Sequence, residues 1–470
     1  YGSPGWRQPS MSIDFRVRDF FHPRQILRLH RTFERNQWLP LSEVRKYQER
    51  LLERTLDQAF NAVPYYQQLA AEHGFHRRDF QSPEDLRKLP LLRKETLRAQ
   101  YGALTARDAA RYHARVYRTS GTSGEPVRFL LDAGANTLEF VYYWRHWGWG
   151  GYRLGDRFAE ISGHFFLIRP HKARLPYVYQ PHLRRLVLNG LLLDPVNAAK
   201  MAEIMQRLKI KFLHGLAGAL QYFVLALEEA EIRPFSLDCV FSTGEILLSH
   251  RRKALTRFFG CPVLDSFGHM ERTVAVSECP EGGYHVNTDY GLLQLENLAV
   301  DSRTNVARGR IVGTTLHNMA MPLLRYDVGD EVEFRESSGP CRCGRSFPLI
   351  RRILGRSQDV LQTPDGRYVT GLFFLPELVE GVDAVQFIQT APDRLEIRWM
   401  GNMPGSSEGA MRLAQLTRDM VGPSMHVEST RVRREELQRD PSGKIRPFIS
   451  LCQVSALAAS PGEAEVREAR

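Results

Sequence analysis

The sequence lacks an uninterrupted apolar run long enough to cross a bilayer, which takes about 20 residues, so no membrane association is expected. Its opening stretch, YGSPGWRQPSMSIDF, has neither the charged start nor the apolar stretch of a signal peptide. Met11 is a candidate native start, with residues 1–10 either an added remnant or an upstream extension, and a cytoplasmic enzyme is the default expectation. Cysteine is scarce: six in 470 residues do not make a disulfide framework. No Lys/Arg block alternates with aromatics, so no nucleic-acid partner is expected. There is no internal repeat and no P-loop of the GxxxxGK[ST] kind.

What is present points to a folded protein of more than one domain. A chain of 470 residues exceeds one ordinary hydrophobic core. With 43% hydrophobic and 25% charged residues it has the composition of a globular protein. The formal net charge of +11 suits anionic partners such as nucleotides, coenzyme A or an acidic carrier protein, and equally a plain solvated basic surface.

Apolar spacing predicts helix through residues 20–75, with Leu27, Leu29, Leu51, Leu52, Leu56 and Phe60 recurring every three or four positions. Pro64 breaks that region, because it lacks an N–H and disfavours helix in the residue before it. From about 110 to 350, short β-like runs such as Phe158–Ile161, Phe212–His214, Val240–Ser242 and Pro262–Ser266 alternate with helical stretches such as Val196–Leu208. That alternation predicts an α/β fold with parallel sheets. Leu292–Glu296, Gly309–Thr315 and Glu331–Phe334 come without intervening helices and predict a small antiparallel barrel or sheet. After Gly355, a hairpin, two strands and a helix at Gly409–Met420 predict a small α+β domain.

Two stretches carry the first chemical signals. Thr119, Ser120, Gly121, Thr122, Ser123 and Gly124 form a Ser/Thr/Gly run whose hydroxyls and backbone N–H groups can surround phosphate oxygens. Near the other end, Pro441-Ser442-Gly443-Lys444 presents one lysine on a turn. Alone, the first is an ordinary turn and the second a solvated surface lysine.

Together, TSGTSGEP and PSGKIR resemble the phosphate loop and the catalytic-lysine motif of the adenylate-forming superfamily of acyl-CoA synthetases, adenylation domains and luciferases. Further motifs follow in the family's order: Ser242-Thr243-Gly244-Glu245, the segment Asp265 to Glu271, Tyr326-Asp327-Val328-Gly329-Asp330, and the hinge Gly355-Arg356-Ser357-Gln358-Asp359. The similarity spans about 45 to 450. Ala62-Val63-Pro64-Tyr65-Tyr66 and Leu89-Pro90-Leu91-Leu92-Arg93-Lys94 are similar to the phenylacetate–coenzyme A ligase-like branch. The resemblance implies a large N-terminal domain over 11–354, of α/β-layered subdomains plus a small β-barrel. A small mobile α+β domain would follow over 355–455, then a flexible tail over 456–470.

It also implies roles. A carboxylate attacks the α-phosphate of ATP and pyrophosphate leaves, so the protein must supply positive charge and orientation between two anions. Lys444 would touch the carboxylate and the α-phosphate. Glu271 would hold Mg²⁺, and the 119–124 loop the β- and γ-phosphates. Asp330 would accept from the ribose hydroxyls, and Arg356 would bond to ribose or phosphate. Gly244 and Glu245, with Asp265, Ser266, Phe267 and Gly268, would line the adenine slot. Three positions depart from the family pattern: Phe267 replaces a tyrosine, Met270 a hydroxyl residue, and Gln358 the hinge carboxylate.

Cys279 and His285, with Cys341 and Cys343, could close a tetrahedral Cys₃His site. Spacing alone leaves ordinary cysteines in unrelated loops equally open. Some members of the resembled branch carry a Cys/His zinc site here, which implies structural Zn²⁺. The family's acyl pocket implies a lining from Phe140, Tyr143, Trp144 and His164, with His214, Gly215, Ser242 and His269 nearby. Those aromatics at helical spacing read equally as plain core. As a lining, they would suit an aromatic or heteroaromatic acid, and a histidine could bond a ring substituent.

The expected activity is ATP-dependent activation of a small carboxylic acid as acyl-AMP, then transfer to coenzyme A. The alternatives are transfer to a carrier protein or an amine, and an inactive scaffold that kept the fold.

Overall fold

The computed structural model describes residues 23–118, 127–301, 306–334, 340–356, 360–364, 368–370, 372, 375–376, 379, 381–401, 406–439 and 445–452. They divide into two compact units, the first made chiefly of residues up to Gln358 and the second of residues from Asp359 on.

The first unit begins with helices Pro23–Asn36, Leu41–Ala62 and Pro64–His73. The break between the last two falls at Val63, which is extended at φ −105° and ψ 111° because Pro64 follows it. Pro64 then starts the next helix, where its missing N–H costs nothing. No helix among the described residues is long and apolar enough to cross a membrane.

Strands β1 (Arg115–Arg118) and β2 (Arg128–Leu131) form an antiparallel pair. The main sheet uses β3 (Phe158–Ile161), β4 (Tyr177–Gln180), β5 (Arg185–Leu188), β6 (Phe212–Leu216), β7 (Cys239–Thr243), β8 (Val263–Gly268), β9 (Ala275–Glu278), β10 (Tyr284–Val286) and β14 (Leu349–Ile350). Its order is β14-β10-β9-β8-β7-β6-β3-β5-β4. The five central strands β5, β3, β6, β7 and β8 are parallel. Helices Pro195–Arg207, Ala217–Glu229 and Ser249–Phe259 supply the crossovers that parallel strands need. Strands β3, β5 and β7 are buried along their whole length, as expected where both faces are covered.

Helix Ala133–Trp149 is capped by Asp132, whose side chain accepts from Ala135 N at 2.8 Å. Its aromatic face, including Phe140, Tyr143 and Trp147, packs into a core with Phe158, Phe212 and Phe241 of the main sheet. Arg145 of this helix is fully buried and pairs with Asp289 at 2.7 Å. It also donates to Asn287 and to the Phe33 carbonyl, which ties the helix to Pro23–Asn36.

A second sheet, β11 (Gly291–Asp301), β12 (Val306–Thr315), β13 (Tyr326–Phe334) and β15 (Arg352–Arg356), is antiparallel throughout. The small β-barrel expected here is, among the described residues, an open sheet with β11 and β15 at its edges. Four strands are too few to close around a packed interior.

The second unit contains the hairpin β16 (Val360–Gln362) and β17 (Tyr368–Thr370). Beside it stands a sheet of β18 (Ala384–Ala391), β19 (Arg394–Met400), β20 (His426–Arg431) and β21 (Phe448–Ser450), in the order β20-β19-β18-β21. Helix Ser406–Val421 buries Leu413, Ala414 and Val421 in a core shared with Phe387, Ile397 and Phe448. The architecture is the mixed α/β class that the alternation of periods predicts.

Candidate active site and metal centre

Glu271 lies just beyond β8, in the turn before β9, and is only 3% exposed. Its carboxylate is held from two sides. Oε1 accepts from the Tyr326 hydroxyl at 2.6 Å, and Oε2 lies 2.9 Å from His269 Nδ1. The His269 ring also stacks on Tyr326, with centroids 6.2 Å apart, and its Nε2 meets Thr273 Oγ1 at 2.9 Å. Burial pushes the Glu271 carboxyl upward. The His269 hydrogen bond and charge, the nearby Lys94 ammonium and the Tyr326 hydroxyl outweigh it and hold the group at about 2. Glu271 is therefore a fixed anion with lone pairs to spare, the chemistry a hard cation such as Mg²⁺ takes.

The turn is clamped from behind. A Cβ at Gly313 would overlap the Thr273 hydroxyl, and one at Gly291 would overlap the Thr273 carbonyl. Two glycines on the adjoining strands β12 and β11 thus let the second sheet approach the segment that carries His269 and Glu271. Arg272 takes a left-handed backbone at φ 56° and anchors the other side by donating to the Ala135 carbonyl and to Asn136 Oδ1.

Lys94 ends the Leu89–Lys94 segment that is similar to the ligase branch. Its ammonium lies 3.5 Å from where a Gly329 Cβ would stand, and its charge acts on Glu271. A half-buried cation beside Glu271 and the Tyr326–Asp330 motif is a functional candidate that no chemical role was assigned in the sequence. The signal was present, since Lys94 follows a Leu-Pro-Leu-Leu run that fixes the chain. On the same strand Asp330 stands opposite Arg356 across β13 and β15, the two residues expected at the ribose.

Other expected residues divide between site and scaffold. Gly244 follows β7 with φ 72°. Glu245 accepts from Gly218 N at 2.6 Å, at the start of helix Ala217–Glu229, and pairs with Arg251 at 3.5 Å. Its carboxylate therefore holds a helix N-terminus. Ser266 donates to the Ser242 carbonyl at 3.1 Å, while Phe267 and Gly268 are half-buried at the end of β8. Asp265 is buried and accepts from the Tyr284 hydroxyl at 3.1 Å. Burial, then the charge of Glu278, raises its carboxyl to about 7.

The expected acid-pocket aromatics are largely buried. Phe140 and Tyr143 are buried in the helix–sheet interior, and Trp144 packs half-buried against it. Helical spacing could not separate the two readings, because both place aromatics on one face. His269, also expected at the acid, has both ring nitrogens engaged with Glu271 and Thr273. His164 is half-buried in the short helix Gly163–Leu167 after β3. His214 and Gly215 lie in β6, and Ser242 is fully buried in β7. Thr119, Ser120, Gly121, Thr122, Ser123, Gly124, Gln358 and Lys444 lie outside the described residues, as does the side chain of Arg356.

The four metal candidates converge. Ligand atoms of Cys279, His285, Cys341 and Cys343 all lie within 4.8 Å of one another. Cys279 Sγ is 3.6 Å from Cys341 Sγ, and Cys343 Sγ is 3.2 Å from His285 Nε2. Tetrahedral zinc with Zn–S near 2.3 Å needs ligand atoms about 3.8 Å apart, so the donor set fits. His285 Nδ1 lies 3.1 Å from the Phe347 carbonyl, which leaves Nε2 facing the sulfurs. Gly283 lies close to the cluster, where an added Cβ would sit 3.1 Å from Cys341 Sγ.

Comparison with known proteins sets this geometry in a family. No family model matches the chain. Protein CapK of Staphylococcus aureus is 22% identical over 54% of this chain and 55% of its own, so the chain spans about half the length of that relative. A solved structure of 2-hydroxyisobutyryl-CoA ligase, in the postadenylation state in complex with R3-HIB-AMP, superposes with a TM-score of 0.68. It covers 88% of this chain and 91% of its own at 18% identity, a likeness of fold. Phenylacetate-coenzyme A ligase of Pseudomonas putida is 37% identical over 331 residues, 68% of this chain and 72% of its own. At that identity and coverage, the chain belongs to the phenylacetate-coenzyme A ligase family of the adenylate-forming superfamily.

Proposed function

We propose that the protein is an AMP-forming acid–thiol ligase. It joins a small carboxylic acid to the α-phosphate of ATP, releases pyrophosphate, and passes the acyl group to the thiol of coenzyme A. The observation that carries this reading is the buried Glu271, clamped between Tyr326 and His269 with the charge of Lys94 acting on it.

Two anions must meet in the first step, so the chemistry depends on positioned positive charge. Glu271 would hold Mg²⁺, which shields phosphate charge when bound. Lys94 adds a fixed cation from the protein. Asp330 and Arg356, opposite one another on β13 and β15, would orient the ribose. Lys444, from a C-terminal domain over 355–455, would bridge carboxylate and α-phosphate, and the 119–124 loop would hold the outer phosphates of an N-terminal domain over 11–354. Cys279, His285, Cys341 and Cys343 would hold a structural Zn²⁺. That ion would clip the segment after Glu271 to the loop after Asp330 and brace the nucleotide site.

The test is ATP–pyrophosphate exchange over a panel of aromatic and small aliphatic acids, with and without coenzyme A. Acid-dependent exchange, with thioester formed when coenzyme A is added, is the expected result. Exchange without any thioester would replace coenzyme A by a carrier-protein or amine acceptor. Lys444→Ala with unchanged exchange would remove the central assignment.

A further inference from the structure

The turn after the first helix meets the loop that carries two of the metal candidates. Gln37, just past helix Pro23–Asn36, is only 2% exposed. Its Oε1 accepts from two donors at once, Trp149 Nε1 at 2.7 Å and Arg345 Nε at 3.1 Å. Its Nε2 donates back into the helix, to the Glu34 carboxylate at 2.9 Å and the Glu34 carbonyl at 3.1 Å. Every hydrogen-bonding place on the amide is thus filled. The Gln37 backbone carbonyl accepts from Ser346 N at 3.3 Å, and the Ser346 hydroxyl donates to the Leu39 carbonyl. The Arg345 guanidinium lies over both Trp38 and Trp149, 4.9 and 4.2 Å from the ring centroids.

Each of these partners reaches a metal candidate. Trp149 meets the His285 ring edge-on, with centroids 5.7 Å apart. Arg345 and Ser346 follow Cys343 in the chain, and the next residue, Phe347, supplies the carbonyl that faces His285 Nδ1. Gln37 therefore holds the stretch that carries one sulfur and orients the imidazole. If that stretch loosened, the buried Gln37 oxygen would lose both donors, a costly state for a desolvated acceptor. On the other side of Gln37, Phe33 and Asn36 fix the same end of the helix to Arg145 and Asp289. The helix presents Arg24, Arg28, Arg31 and Arg35 on its exposed face.

We propose that Gln37 is a positioning residue of the metal centre, and that through it Zn²⁺ binding and the docking of helix Pro23–Asn36 strengthen one another. Groups that orient a metal ligand tune the affinity of the site. Coupling between two sites is reciprocal, so a helix that favours the ion must itself be held more firmly when the ion is bound. The three sulfurs and the imidazole share one bond centre with the ion present, and the 341–347 loop then offers Gln37 two fixed donors. The inference rests on the Zn²⁺ assignment made above and not on the ligase chemistry.

The experiment has two readouts on the full chain. The first is Zn²⁺ affinity, by competition with a chromophoric chelator, for wild type, Gln37→Met and Gln37→Glu. Gln37→Met should lower the affinity about 10–100-fold. Gln37→Glu keeps the acceptor for Trp149 and Arg345, loses only the donor to Glu34, and should recover most of the loss. The second is trypsin cleavage of zinc-loaded and chelator-stripped wild type, followed by mass spectrometry. Stripping should speed cleavage after Arg24, Arg28, Arg31 and Arg35 by about 5-fold or more. Cleavage after Arg412, exposed on helix Ser406–Val421 of the second unit, should not change. The stripped wild type carries the test should Gln37→Met not fold. An unchanged affinity in Gln37→Met overturns the inference, as does cleavage that rises equally at the helix and at Arg412, or a wild type that takes up no Zn²⁺. None of these outcomes reads pyrophosphate exchange, so the ligase reading is tested separately.

Discussion

The Tyr326 hydroxyl donates to Glu271 Oε1 at 2.6 Å and joins two motifs that lie 55 residues apart in the chain. Tyr326 opens β13 and Glu271 follows β8, so the bond links the main sheet to the second sheet. The carboxylate is consequently oriented by one sheet and carried by the other.

Glu271→Gln should remove the fixed anion and lower acid-dependent exchange by roughly 10²–10³-fold. Tyr326→Phe keeps the ring that stacks on His269 but loses the donor, and should cost about 10–100-fold, the usual range for a group that acts through a ligand. Titrating exchange against Mg²⁺ checks the assignment. If Tyr326→Phe leaves the Mg²⁺ dependence unmoved, the hydroxyl is not positioning the metal ligand.

Lys94→Ala removes a cation from beside Glu271 and the Gly329 turn. The expected outcome is weaker nucleotide use, with the KM for ATP raised at least about 10-fold, since a charge-assisted contact contributes about 1.5–3 kcal/mol. Lys94→Arg should recover part of the loss. Steady-state kinetics at fixed acid decides it, and an unchanged KM with lowered melting temperature would make Lys94 structural.

Gly313→Ala forces a methyl group into the Thr273 hydroxyl. Overpacking of this kind costs about 1–3 kcal/mol. Because Thr273 holds His269, activity should fall together with stability. The companion variant Thr273→Ser leaves the hydroxyl in place and should behave as wild type. Denaturant melts and exchange rates measured on the same samples test the pairing.

Elemental analysis should find about one zinc per chain, and Cys341→Ser should lower both the zinc content and the melting temperature. Chelation of wild type should reproduce the drop. A metal-free protein with an unaltered melt would show that the four side chains converge without an ion.

Asp265 links stability to pH. Burial, then Glu278, raises its folded value to about 7, with Arg252 and the Tyr284 hydroxyl acting against that rise. The unfolded value is near 3.9. Between the two, the folded state holds a proton that the unfolded state has lost, so this group's contribution is complete below about pH 4 and lost as pH rises to about 7. Asp265→Asn cannot titrate, and should lose less stability than wild type between pH 5 and 7.5. Parallel melt curves for the two proteins would refute this.

The sequence by itself determined the α/β class, the family and the four metal candidates. Those signals are local: a helix break at Pro64, the alternation of short strands with helices, and motifs whose residues are neighbours in the chain. Tertiary packing decided the rest. Phe140 and Tyr143 are buried in the aromatic cluster between their helix and the sheet, a placement that periodicity alone could not give. Of the barrel or sheet expected there, the described residues form an open sheet, since pairing at its edges depends on strands far apart in sequence. The three histidines weighed equally at the acid separate only when their partners are known. His269 is satisfied by Glu271 and Thr273, His164 is half-buried on a short helix, and His214 is enclosed with both nitrogens open. Hydrogen-bond partners are set by which distant segments the fold brings within about 3 Å, and no spacing along the chain encodes that distance.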